Sequence, residues 1–452
     1  MAGYFGPSYE EMLYPERVEP DLLARARQAA GVDELDPVNL FNITWKDPEG
    51  RVRATVLPPA LTGVEANIIV LLGAGFPSGS HKVGPAYTTL MEGWLDGTII
   101  PGRHTILGPS TGNFGIGVAY VCRLLGYRAI IIMPDGMSRE RYQRIRAYGG
   151  ELELTPGTES DVILTLERTQ QLAKDPHNRT LAQFELFPNY RFHRYVTGRS
   201  AIEAAKGWGN GAIAGFAAAP GSAGTLAAGD EIKATFPGAK VAALEPYECP
   251  TLATGGRGHH RIEGIGDKMC TLIHNVLNTD FVILIHDDHA VKGLKVLRDG
   301  GGVLADWGVG EAEAAALRDS FGVSGVCNIL GAIKLAKQLG LGPGENVVTV
   351  ATDGFDRYPS VMEDLERRSP EITPSVLEGW ARDVFRHAVP DHVYDCRGRE
   401  AKARLFAQKE KDWLPFGYAR EDLGAMQHPA FWEREYARVG EYDAKLLAKR
   451  RA

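Results

Sequence analysis

The chain is short of cysteine, of long apolar runs and of excess charge, and each shortage closes off a class of function. Five cysteines in 452 residues (Cys122, Cys249, Cys270, Cys327, Cys396) are odd in number, far apart and never spaced C-x-x-C. That pattern predicts reduced thiols, without a disulfide frame or a thiolate metal site, in a cytoplasmic setting. No stretch of 18 apolar residues occurs, which excludes a membrane-spanning helix. The start "MAGYFGPSYEEMLYPERVEP" is acidic and has no apolar core of the kind a secretory signal carries. A formal net charge of −7 offers no electrostatic hold on nucleic acid or an anionic membrane. Neither is expected as a partner.

What is present is an alternation. Short apolar runs at Asn67–Leu72, Thr105–Leu107, Arg128–Met133, Glu151–Leu154, Ala212–Ala217, Lys240–Leu244, Asp280–Leu284 and Asn346–Ala351 read as strands. Several are apolar throughout, as strands covered on both faces must be, and they end in Gly, Pro or Ser clusters. Between them lie amphipathic helical stretches such as Gly115–Leu125 and Ser138–Tyr148. This predicts an α/β fold with two open, mostly parallel twisted sheets flanked by helices. The division expected is an N-terminal arm over 1–60 with one short helix (Leu22–Ala30), a smaller α/β domain over 61–185, a larger one over 186–360, and a helical C-terminal extension over 361–452. Strand signals stop after Asp364, and the extension is expected to pack on the main body, with a dimer contact as the next reading.

Three Gly/Ser-rich loops follow strands and open helices. In "FPSGSHKVGP" Lys82 stands where a helix begins, near free backbone N–H groups and partly out of water, which lowers a lysine's pKa toward a nucleophilic or basic form. In "GPSTGNFGIG" the hydroxyls of Ser110 and Thr111 and the amide of Gly112 sit at a positive helix end, suited to a carboxylate, and Asn113 adds a neutral amide; plain helix capping is the alternative. In "APGSAGTLAAG" Gly221, Ser222, Gly224 and Thr225 suit a phosphate held by backbone amides, although neither G-K-[ST] nor G-x-G-x-x-G is present. Glu245 ends the next strand about 20 residues on, where a dinucleotide fold keeps its ribose-binding acid, so an NAD-binding oxidoreductase stays open on that loop alone.

Taken together, the loops resemble the pyridoxal-phosphate enzymes of the tryptophan-synthase-β type (fold type II), in the cysteine synthase and cystathionine β-synthase branch. "PSGSHK" is similar to that branch's Schiff-base motif, "STGNFG" to its S-S-G-N-T-G loop and "GSAGT" to its G-T-G-G-T phosphate loop. "MPDGMSRERYQRIRAYGGELELTPG", "LEPYECPTL", "HRIEGIG" and "QFELFPNYRFHRYVTG" keep the family's order and spacing, so that the resemblance runs from about residue 60 to 360. It implies pyridoxal 5'-phosphate on Lys82, the cofactor's ring oxygen at Asn113, its phosphate on Gly221 to Thr225, and a substrate carboxylate on Ser110, Thr111, Gly112 and Gln183. The implied chemistry removes the α-proton of a β-substituted L-amino acid, expels the substituent to leave an aminoacrylate, and adds a nucleophile; a β-eliminating lyase is the alternative, and a homodimer is implied.

Departures are as telling. Val83–Gly84 replaces Asp-Arg after the lysine, and Phe114 replaces a Thr. Ala223 replaces a glycine, which a phosphate loop accepts while φ there stays negative. In "ATDGFDRY" the partner of the pyridine nitrogen is Asp353 by its spacing from Asp-Arg-Tyr and Thr352 by residue type; an ionised Asp would keep the nitrogen protonated, a hydroxyl would leave it largely neutral. No metal is expected: "IHDDHAV" reads as helix capping by Asp287 or Asp288, His259 and His260 as structural, and His81 as packed near the phosphate.

Overall fold

The computed structural model describes residues 6–369 and 371–451. Its strands are β1 (Ala54–Leu57), β2 (Asn67–Leu72), β3 (Thr105–Pro109), β4 (Arg128–Pro134), β5 (Glu151–Thr155), β6 (Asn178–Thr180), β7 (Ile213–Ala218), β8 (Lys240–Pro246), β9 (Phe281–Ile285), β10 (Asn346–Ala351) and β11 (Val393–Asp395). They form a seven-stranded sheet in the order β1-β2-β10-β7-β8-β9-β11 and a four-stranded sheet in the order β5-β4-β3-β6. The smaller sheet is parallel throughout. The larger is parallel across β2, β10, β7, β8 and β9, with β1 and β11 antiparallel on its edges.

The sequence explains the layering. All six residues of "NVVTVA" in β10 are buried, as are all five of "FVILI" in β9, because helices cover both faces of the sheet. The helix Val323–Leu339 packs on this sheet, and the helix Asn113–Leu125 packs on the smaller one. Three parallel neighbours, β2, β10 and β7, end side by side, and Lys82, Thr352 and the Gly221–Thr225 loop lie beyond those carboxyl ends. A crevice outside the carboxyl ends of parallel strands, where strand order reverses, is where open α/β sheets bind ligands.

Two expectations change. The sheets do not respect the division at residue 60: β1 from the expected arm and β2 from the expected smaller domain both join the larger sheet, because β2 pairs in parallel with β10 over its whole length. Strands also do not cease after Asp364, since β11 covers the free edge of β9. With three residues, it is too short to show alternation. The rest of the extension is helical. The helix Arg399–Trp413 lies over loops of the larger sheet. The helix Pro429–Arg451 contacts the helix Val83–Leu95 and the N-terminal helix Tyr9–Leu13, whose first amides donate to Asp443 from Tyr9 (2.7 Å) and Glu10 (3.0 Å).

Candidate active site

Lys82 immediately precedes the helix Val83–Leu95, on a loop wound tightly enough to put Ser78 at φ 62° and Gly79 at φ 74°. Its Nζ donates to Ser222 Oγ (3.2 Å) and Gln183 Oε1 (3.3 Å), so the lysine, the loop after β7 and the glutamine converge on one point. Burial pushes the ammonium down to about 8, against a rise from the carboxylates of Asp267 and Glu159. His81 beside it is fully buried and stacks against Trp45 and His193, and burial holds both imidazoles well below their ordinary range and therefore neutral.

Lys82 lines one narrow pocket with Ser110, Thr111, Gly112, Asn113, Phe114, Gln183, Phe184, Gly221, Ser222, Gly264 and Thr352. Ser110 is turned to local work: its Oγ accepts the amides of Gly112 (2.9 Å) and Gly115 (2.8 Å), capping the helix Asn113–Leu125. Gly112 takes φ 159°, and a Cβ there would meet Arg141 Nε at 2.3 Å, so only glycine lets the buried arginine pass under this loop.

The loop after β7 fits a phosphate on its own geometry. Among the described residues, no amide from Gly221 to Thr225 donates to a protein acceptor, although the loop is largely buried and leads into the helix Ala227–Thr235. Unclaimed amides at a positive helix end form an anion cradle. The expectation for Ala223 fails, since its φ is +63°. The left-handed turn aims successive N–H groups into one concavity, and Ala bears the cost of about 1–2 kcal/mol that glycine would avoid. Asn189 completes this corner by donating to Ser222 Oγ (2.9 Å) and to the Gln183 carbonyl (2.8 Å).

At the end of β10, Thr352 is on the cavity wall and Asp353 is behind it. The Asp353 carboxylate is fully buried and accepts from Asn113 Nδ2 (2.6 Å) and Tyr358 OH (2.9 Å). Burial raises its pKa, opposed by Arg357 and Arg141. Arg357 Nε donates to Asn113 Oδ1 (2.7 Å). The pair of contacts fixes which way the Asn113 amide faces: oxygen to Arg357, nitrogen to Asp353, with one N–H left for the cavity. The spacing from Asp-Arg-Tyr had favoured Asp353 as a cofactor contact, but this carboxylate is occupied in orienting Asn113.

Glu245 turns out to be a helix cap. Its carboxylate, pushed up to about 7 by burial, accepts the amides of Leu252 (2.7 Å) and Ala253 (3.0 Å) at the start of Thr251–Thr254. The residue that kept a nicotinamide reading open is thereby committed. Asp287 and Asp288 lie in the first turn of their helix and pair with Arg261, while His286 holds the cap position.

Sequence reasoning missed Glu159, Asp267, His193 and Asn189. Asn189 and His193 stand within "NYRFHRYVTG", a run used there only for its spacing, and Asp267 follows "GIG" directly. Glu159 lies beyond the turn "TPG" with nothing local to mark it. It is 3% exposed and Asp267 5%; burial pushes Glu159 up to about 7, opposed by Arg141, the Thr111 hydroxyl and the Gly264 amide, and pushes Asp267 well above the carboxylate range.

Known proteins arrange the same parts. A profile described as "Pyridoxal-phosphate dependent enzyme" matches residues 60–353. A cysteine synthase of Staphylococcus aureus (strain N315) is 33% identical over 299 residues, covering 65% of this chain and 88% of the relative. Among solved structures, a mutant hydrogen sulfide-producing enzyme in complex with an α-aminoacrylate intermediate is 28% identical with a TM-score of 0.59, covering 76% of this chain and 93% of that one. The O-acetyl serine sulfhydrylase isoform 3 of Entamoeba histolytica is 26% identical with a TM-score of 0.60, covering 74% and 93%. The profile's span ends before the C-terminal extension and includes every residue of the pocket. This chain belongs to the family of pyridoxal-phosphate-dependent enzymes.

Proposed function

We propose that the chain is a transferase or lyase acting on a β-substituted, serine- or cysteine-derived L-amino acid, with replacement of the β-substituent as the first reading and its elimination as the second. The observation that carries this is the convergence of Lys82, a carboxylate loop and an unclaimed anion cradle on one pocket. The relatives point the same way, one being a cysteine synthase and another solved with an α-aminoacrylate intermediate.

The residues fit pyridoxal 5'-phosphate. Lys82 would bond its aldehyde carbon, Gly221 to Thr225 its phosphate, the spare N–H of Asn113 its ring oxygen, and Thr352 its pyridine nitrogen, through a hydroxyl that leaves the nitrogen largely neutral. When bound, the cofactor supplies a sink for the electrons released at the substrate's Cα. The chain does the rest. The Thr111 hydroxyl and the Gln183 amide hold the α-carboxylate at a helix start, fixing the Cα–H bond toward Lys82. The Lys82 amine, brought to about 8 by burial, is matched to taking that proton near neutral pH and returning it. Phe114 and Phe184 line the wall and keep it apolar.

Borohydride reduction of the cofactor-loaded protein, then peptide mapping, tests the reading. The label should sit on Lys82 and vanish in Lys82→Ala. A label on another lysine would overturn it.

A further inference from the structure

A groove of about 390 Å³, within the size range of small-molecule sites, runs between the N-terminal arm and the loop that carries Lys82. The arm supplies one wall, with Leu23, Arg27, Phe41 and Arg53, and the segment Ala74–Gly79 supplies the other. The groove shares no described residue with the Lys82 pocket. The family profile begins at residue 60, so the arm's wall lies outside it.

The charges along it settle the sign of a ligand. Lys46 pairs with Glu203 and Asp47 with Arg51 (3.0 Å), while Glu34 accepts from Tyr148 OH and lies 3.8 Å from Arg144. The other two charged side chains of the groove, Arg27 and Arg53, form no ion pair among the described residues. Arg53 is half-buried and uses only Nη1, on the Thr44 carbonyl (2.9 Å). Its Nε and Nη2, the edge on which a guanidinium takes a carboxylate with two parallel bonds, are unspent. On the facing wall Ser78 is 2% exposed and its Oγ has no hydrogen-bond partner, a cost that a ligand oxygen would relieve. Leu23, Phe41, Phe76 and Pro77 keep the remaining surface apolar, which suits an organic body better than a bare inorganic ion.

The same wall leads to the active site. The Ser78 carbonyl, at φ 62°, accepts from Arg357 Nη2, and Arg357 Nε donates to Asn113 Oδ1 (2.7 Å), whose amide lines the Lys82 pocket. We infer that the groove is an effector site for a small organic acid. The carboxylate sits on Arg53 in the field of Arg27, and the apolar body lies against Leu23, Phe41 and Phe76. A ligand that shifts Ser78 shifts Arg357, and with it the hydrogen bond that orients Asn113, so that occupancy of the groove is felt by the cofactor.

The test is a calorimetric titration of the cofactor-loaded enzyme with benzoate, benzamide and inorganic phosphate. Benzoate should bind once per chain and about tenfold or more tightly than either other probe, since benzamide lacks the charge and phosphate the apolar body. Arg53→Met, with cofactor absorbance as the check on folding, should weaken benzoate about tenfold or more. Arg27→Gln, at an exposed position that folding does not depend on, should weaken it about 1.5- to 5-fold. Benzoate should also change the cofactor's absorbance with the same midpoint as the heat. Benzoate binding that survives Arg53→Met would place the acid elsewhere, the substrate carboxylate loop included, and overturn the site. Equal binding of benzamide, or no binding of benzoate at millimolar concentration, overturns it too. Binding at Arg53 without any change in cofactor absorbance overturns the link to Asn113.

Discussion

Asp353 and Thr352 adjoin in sequence but do different jobs, and one pair of substitutions separates them. In Asp353→Asn the amide must put either its oxygen or its nitrogen where Oδ2 now accepts from Asn113 Nδ2 (2.6 Å) and Tyr358 OH (2.9 Å). If nitrogen goes there, two NH2 groups face each other. If oxygen goes there, the charge that strengthens both bonds is still gone. The loss of a hydrogen bond to a charged group is worth about 1.5–3 kcal/mol. With a urea slope near 3 kcal/mol/M, the upper part of the usual range, the unfolding midpoint should fall by about 0.5–1 M. That drop should appear in the cofactor-free protein, because the carboxylate holds protein groups together. Thr352 is the opposite case. Its hydroxyl bonds to no protein group among the described residues, so Thr352→Val should leave the cofactor-free midpoint within about 0.5 kcal/mol of wild type. It should weaken cofactor binding about 2- to 10-fold, the worth of one neutral hydrogen bond. Urea unfolding followed by tryptophan fluorescence, with and without cofactor, reads both effects. The reasoning is refuted if Asp353→Asn leaves the cofactor-free protein untouched while loosening the cofactor, since that is how a direct ligand of the ring would behave.

Restoring the family's arginine after the lysine should harm this protein: a Cβ at Gly84 would lie 2.2 Å from the ring of Phe192, so Gly84→Arg should cost at least about 1–3 kcal/mol by urea unfolding, with no gain in activity. Lys409 is 1% exposed, donates to the carbonyls of Leu272 (2.9 Å) and His274 (2.6 Å), and is pushed down to about 7 by burial. In the unfolded chain it titrates near ~10.4, so between those values the unfolded state holds a proton that the native state has released, and stability from this group rises as pH climbs from 7 toward 10. Melting temperatures at pH 7 and 9 should therefore differ less in Lys409→Met than in wild type. Ala223→Gly relieves the left-handed turn but frees the unfolded chain, leaving a net change of about 1 kcal/mol or less, while Ala223→Val adds a β-branch where φ is +63° and should abolish cofactor retention on gel filtration.

The parts legible in the sequence are those whose cause is local. Asn67–Leu72 and Asn346–Ala351 read to the residue, because each is a β-branched run buried on both sides and bounded by turn formers. Lys82 and the glycine loops were legible for the same reason, since a helix start and a tight turn are written in adjacent residues. What escaped depends on meetings far apart in the chain. The sequence leaves Thr352 and Asp353 open as partners of the pyridine nitrogen, because what occupies Asp353 is Asn113, 240 positions away and within 2.6 Å of it in the fold. Ala223 gives no sign in the sequence of its positive φ, and its neighbours Gly221 and Gly224 are pressed closely against the Gly264 carbonyl and Asn189, which stand far away in the chain.

The same distinction explains where the chain departs from its relatives. The matched region carries the parts that any member of the family needs, and those are local motifs. The extension reaches back onto them from outside: Trp413 Nε1 donates to the Cys270 carbonyl (2.7 Å), and Asp412 accepts the Cys270 amide (2.8 Å), three residues beyond Asp267. Trp413 also packs in one cluster with Met269 and Leu272 from that loop and with Phe184 from the cavity wall. Residues from outside the matched span thus hold the segment that carries Asp267. A buried carboxylate without a partner pushes its loop toward water, and a loop so loaded needs support that a surface loop does not. Sequence comparison confined to residues 60–353 sees the motif and the acid but not the buttress. The extension therefore fixes that loop from outside the matched span, through Asp412 and Trp413, and a substitution at either should loosen it.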